Sequence, residues 1–432
     1  MATAAVAPPD RTERSITRRV LPSGLRLLID PMPGVRSVSL GVWLARGSRH
    51  EDPAQGGIAH FVEHMLFKGT ATRTAEQFAQ EVDSIGGNLD AYTSHESAGY
   101  DILTLDEHVP HAVDLLSDLL LHPVFPEQEI VRERNVVLEE INQVEDTPGD
   151  LAYELLTAGL FPGHPLGRSI LGTAATVSAF DGAALNDYFG RAYRAENLIV
   201  AAAGNVDPDH LGALVGEAFA AVPTGCEPVE DVEPRTGVRL DVRDKGLEQV
   251  QVCLGTRGYP QRHPDRYALA LLIDMLGGPT SSRLFQQIRE QRGLAYSVGS
   301  GMIAYRDAGL VTIHAGCGQP SVGEVVDLIV AALRAFKNTP PPEDELQRAK
   351  DHVKSNLLLG FESPGGRMAE LAHAEMYYDR HMTVTEALAN YAAVTAGDVQ
   401  RVANDLFRNG ALGGALVGPV AEPIEPSRLD LG

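Results

Sequence analysis

Apolar positions along this chain switch between a helical period and a period of two, and the switches mark its elements. In residues 130–145, Ile130, Val137, Ile141 and Val144 fall on one face at about 100° per residue, which predicts an amphipathic helix. Phe78, Val82 and Ile85 form a shorter helical stripe, opened by a capping box of Thr74 with Gln77 and stopped by Gly86-Gly87. Residues 89–94 and 100–105 then read as two strands around a short polar turn.

The pattern occurs twice. Strand-like residues 39–44 correspond to 250–254, each followed by a helical stretch; Pro126-Glu-Gln-Glu-Ile130 opens one long helix, as Pro342-Glu-Asp-Glu-Leu346 opens another. Residues 195–204 and 413–418 end the two halves as strand-like runs. Between the halves, 223–237 carry three prolines, several acids and no period, which predicts a linker. The expected division is a disordered extension over 1–14, a first domain over 15–222, the linker over 223–237, and a homologous second domain over 238–432. The expected fold class is α+β, with a mostly antiparallel sheet flanked by helices in each domain. The copies differ in chemistry: where the first carries two histidines on its first helix, the second has the almost wholly apolar 266–275.

Composition fits such a chain. At 432 residues it is too long for one ordinary core, and its 44% hydrophobic content is globular. No run approaches the roughly 18 apolar residues of a membrane helix. Cys226, Cys253 and Cys317 lie far apart without C-x-x-C spacing and read as buried reduced thiols, which points to a reducing compartment. Met1 to Asp10 has no basic stretch followed by an apolar core, so no secretory signal is expected. Arg11, Arg14, Arg18 and Arg19 would suit a mitochondrial presequence, but Asp10, Glu13 and the brevity of the segment oppose it. A cytoplasmic location follows as the expectation. The net charge of −22 works against nucleic-acid binding and favours cationic peptides, although solubility alone would ask for the same charge.

The chemistry lies in His60-Phe-Val-Glu63-His64. On a helix, residues i, i+3 and i+4 share one face, so two imidazoles and a carboxylate point the same way. Two neutral imidazoles can grip one divalent metal, while the carboxylate can take a proton from an attacking water. This is the inverted H-x-x-E-H pattern, and with 14 histidines it is expected by chance only about 0.03 times in a chain of this length. On the helix over 130–145, Glu133 and Glu140 fall at the edge of the apolar stripe, whereas Glu139 points about 180° away. A carboxylate facing a core must be paired or bound to metal.

Further segments carry a family likeness: Leu21-Pro-Ser-Gly-Leu25, residues 38–48, Gly86-Gly-Asn-Leu-Asp-Ala-Tyr-Thr-Ser94, and 281–298 with Arg289 and Tyr296. With these, the chain resembles the pitrilysin/insulysin family of zinc peptidases, most closely its bacterial and mitochondrial processing peptidase-like branch. The resemblance implies the processing peptidase-like metallohydrolase fold and one zinc per chain, held by His60, His64 and Glu140, the last lying 76 residues beyond His64. It makes Glu63 the general base and Glu133 the acceptor that orients a ligating imidazole. Helical phase selects the same two acids. Asp90, Ala91, Tyr92 and Thr93 match the edge strand that pairs with substrate, with Asp90 where the family usually has Asn. Arg289 and Tyr296 match residues that assist from across a cavity; on local pattern alone both read as helix-end residues. Asp150 and Glu154 match positions that hold a substrate arginine, and a solvated helix face would explain them equally. His95 reads as a solvated turn residue.

Family members enclose a chamber with four such domains, and this chain has two. A homodimer with a shared site is therefore expected, acting on short unstructured peptides, with no nucleic acid or membrane as partner. A catalytic subunit of a heteromeric peptidase is the alternative. A non-catalytic scaffold of the same fold is disfavoured because all five catalytic positions are present.

Overall fold

Strand pairing joins residues 17–204 into one sheet and 240–417 into another in this computed structural model, which describes residues 15–226, 232, 234–420 and 424–432. The expected extension over 1–14 lies outside the described residues, as do 227–231 and 233 of the expected linker. The first sheet contains β1 (Thr17–Val20), β2 (Arg26–Pro31), β3 (Ser37–Leu44), β4 (Asn88–Thr93), β5 (Ala98–Leu105) and β6 (Leu198–Gly204) in the order β1-β2-β6-β3-β5-β4. The second contains β7 (Leu240–Arg243), β8 (Gln249–Gly258), β9 (Ala295–Ala304), β10 (Gly309–Gly318) and β11 (Gly413–Val417) in the order β7-β11-β8-β10-β9. Leaving β1 aside, the orders are the same, each with one parallel pair, β2 with β6 and β7 with β11, in an otherwise antiparallel sheet. This is the expected α+β class with a repeated domain.

Local expectations hold where they rest on period and caps. Helix α1 spans Ile58–Leu66, α2 Ala75–Ser84, α3 Val109–Leu121, α4 Glu127–Asp146 and α5 Pro148–Leu160. The Thr74–Gln77 capping box opens α2, and Phe78, Val82 and Ile85 are buried. On α4, Ile130, Glu133 and Val137 are buried while Glu139 is exposed. Two expectations shift. Residues 195–197 form a 3-10 turn before β6, because the Asn197 amide donates back to the Ala192 carbonyl at 2.8 Å and closes that corner. Cys226 is half-buried, unlike the buried Cys253 and Cys317; all three are free thiols.

The central strands are apolar on both faces, so each sheet needs two covers. On one face of the first sheet, Leu27, Ile29, Val38, Leu40 and Val42 pack with Phe61 and Val62 of α1, Phe78 and Val82 of α2, and residues of α3. Its other face, with Leu28, Trp43, Ile199 and Ala201, is covered by Met368, Leu371, Ala372 and Met376. These come from the helix Pro364–Tyr378, which belongs to the second half of the chain. In return, Leu151, Ala152, Leu156 and Leu160 of α5 cover Cys253, Ala415 and Val417 of the second sheet. Glu375 pins the exchange: it is 1% exposed and accepts from Arg18 Nε and Nη2 at 2.8 and 2.9 Å.

With each half closing the other, the described fold should melt in one cooperative transition. Leu156→Ala, a truncation in the exchanged core, should cost about 2–5 kcal/mol and lower that single transition, read by calorimetry and chemical unfolding. Two separable transitions would show that the halves are independent.

Candidate metal centre

Helix α1, which carries His60, Glu63 and His64, starts where few side chains could sit. Gly57 has φ +94°, and a Cβ there would lie 2.5 Å from the Leu171 carbonyl oxygen, so glycine meets both demands. The helix start is capped from a distance: Glu51 accepts from Gly57 N–H at 2.9 Å and from Ala59 N–H at 2.8 Å. Burial pushes the Glu51 carboxyl up to about 7, although both backbone donors favour its charged form.

From this start, His60, Glu63 and His64 reach one side of α1, which packs against α4 and β4. His60 Nε2 lies 3.6 Å from one Glu140 oxygen, and His64 Nε2 lies 3.5 Å from the other. The ligand atoms of His60, His64 and Glu140 all fall within 4.8 Å of one another, the one such group among the described residues. Ligands about 2.0–2.1 Å from a tetrahedral ion stand about 3.3 Å apart, so the set fits zinc with little adjustment. Burial and the nearby His64 push His60 down to about 4, leaving the neutral imidazole that ligation requires. His64 Nδ1 lies 3.1 Å from Glu133, which also binds Lys68 at 2.7 Å. That contact puts the His64 proton on Nδ1 and turns the Nε2 lone pair toward Glu140.

Glu63 is directed by β4. Thr93 Oγ1 donates to it at 2.5 Å; burial raises its carboxyl, with Thr93 and His64 pulling back. β4 ends the sheet, so among the described residues its outer edge has no partner strand. Asn88, Asp90 and Tyr92 are exposed along it, alternating with half-buried Leu89, Ala91 and Thr93. Asp90 accepts from Ala91 N–H at 2.9 Å and stands opposite Asp101 of β5. The Tyr92 hydroxyl accepts from Trp43 Nε1 at 3.0 Å.

The remaining candidates stand apart. Asp150 and Glu154 lie one turn apart on α5; Ser169 donates to Glu154 at 2.7 Å, and burial raises that carboxyl. Arg289 stacks on Phe285 and Tyr296, with every described contact inside its own segment. Tyr296 does not end a helix. It is 77% exposed on edge strand β9, because the preceding helix, Phe285–Glu290, has π geometry and stops short of it. His95 is not solvated: its ring packs on Tyr305 of the second domain and Nε2 meets the Arg168 carbonyl at 3.2 Å. Lys68 and Glu51 escaped the sequence reading. Lys68 lies one helical turn beyond His64 and could have been found by phase, whereas Glu51 sits in a loop without period.

Two imidazoles and a carboxylate around one point, with a second carboxylate beside them, are the donor set of a single-metal hydrolase. Family models agree: residues 26–174 match Insulinase (Peptidase family M16) and residues 179–353 match the Peptidase M16 inactive domain. The chain belongs to peptidase family M16. It is 37% identical to a Bacillus subtilis protein named zinc protease YmxG, over 91% of this chain and 96% of that one. It is 38% identical to zinc protease Rv2782c of Mycobacterium tuberculosis, over 93% of each chain. Its fold matches the crystal structure of a protease from Helicobacter pylori at TM-score 0.89 and 24% identity, covering 94% of this chain and all of that one. A peptidase M16 inactive domain from Pseudomonas fluorescens matches at 0.88 and 22%, covering 95% and 100%. No helix among the described residues is long and apolar enough to cross a membrane.

Glu51 supplies a test of how α1 is held. Its folded value, about 7, lies above the ordinary 4.5, so its contribution to stability is present below about pH 4.5 and is lost as pH rises through about 7. Glu51→Gln removes that titration. Metal-free variant protein should show a stability curve flatter by about 2–3 kcal/mol across this interval in urea unfolding. An unchanged slope would mean that the Glu51 carboxyl ionises normally in the fold.

Proposed function

We propose that this protein is a zinc-dependent endopeptidase that cleaves unstructured peptides bound as an added strand along β4. The observation that carries this reading is the Thr93–Glu63 contact, which joins the end of a free sheet edge to the carboxylate beside the His60–His64–Glu140 cluster. A peptide paired with β4 through backbone hydrogen bonds would present successive carbonyls to that cluster with little regard to side chains. Zinc, when bound, polarises the scissile carbonyl and makes water a better nucleophile. Glu63 accepts the proton of the attacking water and returns it to the departing amine; its raised carboxyl suits both steps. Glu133 keeps His64 oriented throughout.

Arg289 and Tyr296 complete the site of a second copy. Tyr296 is exposed on β9, and the contacts described for both residues leave them outside the cluster of their own chain. Two chains supply the four domains of a closed chamber, in which Arg289 would hold the substrate backbone and Tyr296 the developing oxyanion. Asp150, with the free oxygen of Glu154, would favour a basic residue near the cleaved bond.

Purified protein should carry one zinc per chain by metal analysis. Glu63→Gln should abolish cleavage of a quenched fluorescent peptide with metal retained, whereas His64→Ala or Glu140→Ala should lose both. Glu133→Gln should weaken metal affinity or activity roughly 10- to 100-fold. Loss of metal in Glu139→Ala with retention in Glu140→Ala would refute the ligand set.

The shared site is tested separately. Inactive Glu63→Gln and Tyr296→Phe proteins, mixed under conditions of proven subunit exchange, should regain part of the activity through one intact hybrid site. No recovery would rule out sharing.

A further inference from the structure

Residues 47–51 connect the two sides of the candidate site to the second domain. Glu51 caps α1, while Ser48 and Arg49 donate their N–H groups to the Ser94 and His95 carbonyls at 3.1 and 2.8 Å. The backbones press closely, since a Cβ on Gly47 would lie 2.3 Å from the Ser94 oxygen. Residues 94–97 form the turn of the β4–β5 hairpin, one step beyond Thr93. The turn closes on itself through Ser94 Oγ, which donates to the Ser97 carbonyl at 2.9 Å.

At its tip Glu96 is 2% exposed and accepts from Arg49 Nη1 at 2.5 Å. It also accepts from Arg306 N–H at 3.0 and 3.1 Å. Arg49 reaches on to Asp307, its two terminal nitrogens donating to the two carboxylate oxygens at 2.9 Å each. Arg306 and Asp307 belong to the turn between β9 and β10, the counterpart of 94–97 in the second sheet. The two hairpin tips are thus joined by a buried guanidinium clamped between a carboxylate from each domain. Stability alone is a weak reason for such a group, because well-packed apolar residues of similar volume often serve as well. The fork supplies direction, fixing angle as well as distance.

We propose that Asp307 and Arg49 are positioning residues for catalysis. The second domain, acting through Arg49 and Glu96, holds the β4–β5 turn in register and so keeps Thr93 against Glu63. This inference rests on the peptidase reading above. Asp307→Asn would loosen one arm of the clamp while the ligand cluster, held by α1 and α4, stays intact. Because a displacement of about 1 Å can cost up to about 100-fold in rate, the expected loss in kcat is about 10- to 100-fold, with KM changed by less than about threefold.

The test uses zinc-loaded, full-length wild type, Asp307→Asn, Thr93→Val and the double variant on one quenched fluorescent peptide, well below their melting temperatures. Bound zinc should be equal in all four, Asp307→Glu should recover most of the rate, and the double variant should be no slower than Thr93→Val, because both changes act through one contact. Multiplicative losses, or wild-type kcat in Asp307→Asn, would overturn the proposal. If Asp307→Asn fails to fold, Arg49→Lys replaces it in the same cycle, keeping the charge but losing the fork, with the same two outcomes. A wild-type chain that binds zinc and cleaves no peptide overturns the peptidase reading, and this inference with it.

Discussion

Each sheet has two apolar faces, and its own half of the chain covers only one of them. All seven residues of β6 and all five of β11 are buried. In an isolated half, one face of that strand would meet water at about 25 cal/mol for each Å² of apolar surface exposed. The exchange of α5 for the helix Pro364–Tyr378 removes that exposure twice, and it sets the angle between the sheets as a consequence. Charged groups at the seam then need only fix direction. Glu375 is held by Arg18, with Arg26 at 3.7 Å, and Arg49 is held between Glu96 and Asp307. A chain built this way has little freedom to hinge between its halves.

What the sequence disclosed follows from the range of each signal. Helical phase is local, and it separated Glu133 and Glu140 from their exposed neighbour Glu139 before any tertiary contact was known. The Thr74 capping box and the Gly86-Gly87 stop are likewise decided within a few residues, and both bound α2 closely. In α5 only the acids Asp150 and Glu154 were singled out, and a stripe would in any case state only that something covers it; Leu156 packs on a sheet that begins 84 residues later in sequence, at Leu240. Arg49, Glu96 and Asp307 are single charges in turns, with no period to reveal that they meet. Tyr296 was misread because a π-helical segment ends early and hands its place to a strand. His95 was misread because a turn exposed in one domain is buried when the other domain's turn meets it.

The candidate centre gathers Glu63, Glu133, Glu140 and Asp90 in a chain already carrying −22 net charge. It tolerates them by assigning each a partner. Lys68 neutralises Glu133, Thr93 donates to Glu63, and Asp90 draws on the Ala91 N–H. Glu140 has the two imidazoles, which are poor partners while neutral, so its charge is open to balance by a cation held between them.

The second domain carries other residues at the positions matching this arrangement. Matching Pro126 with Pro342 sets Ala349 against Glu133 and Asn356 against Glu140. The helix carrying them, Glu343–Gly360, packs on Arg266–Gly277 much as α4 packs on α1. Here the two helices are joined by His352 Nδ1 and Asp274 at 2.7 Å, and Asn356 Nδ2 lies 3.3 Å from His352 Nε2. A hydrogen-bonded pair therefore bridges the elements that correspond to those carrying the three candidate metal ligands in the first domain. Among the described residues of the first domain, α1 and α4 are joined by the His64–Glu133 contact besides the approach of both histidines to Glu140. Bound metal would then act as a staple as well as a reagent. Binding energy that joins two helices is also folding energy, so the site's affinity and the packing of α1 on α4 rise and fall together.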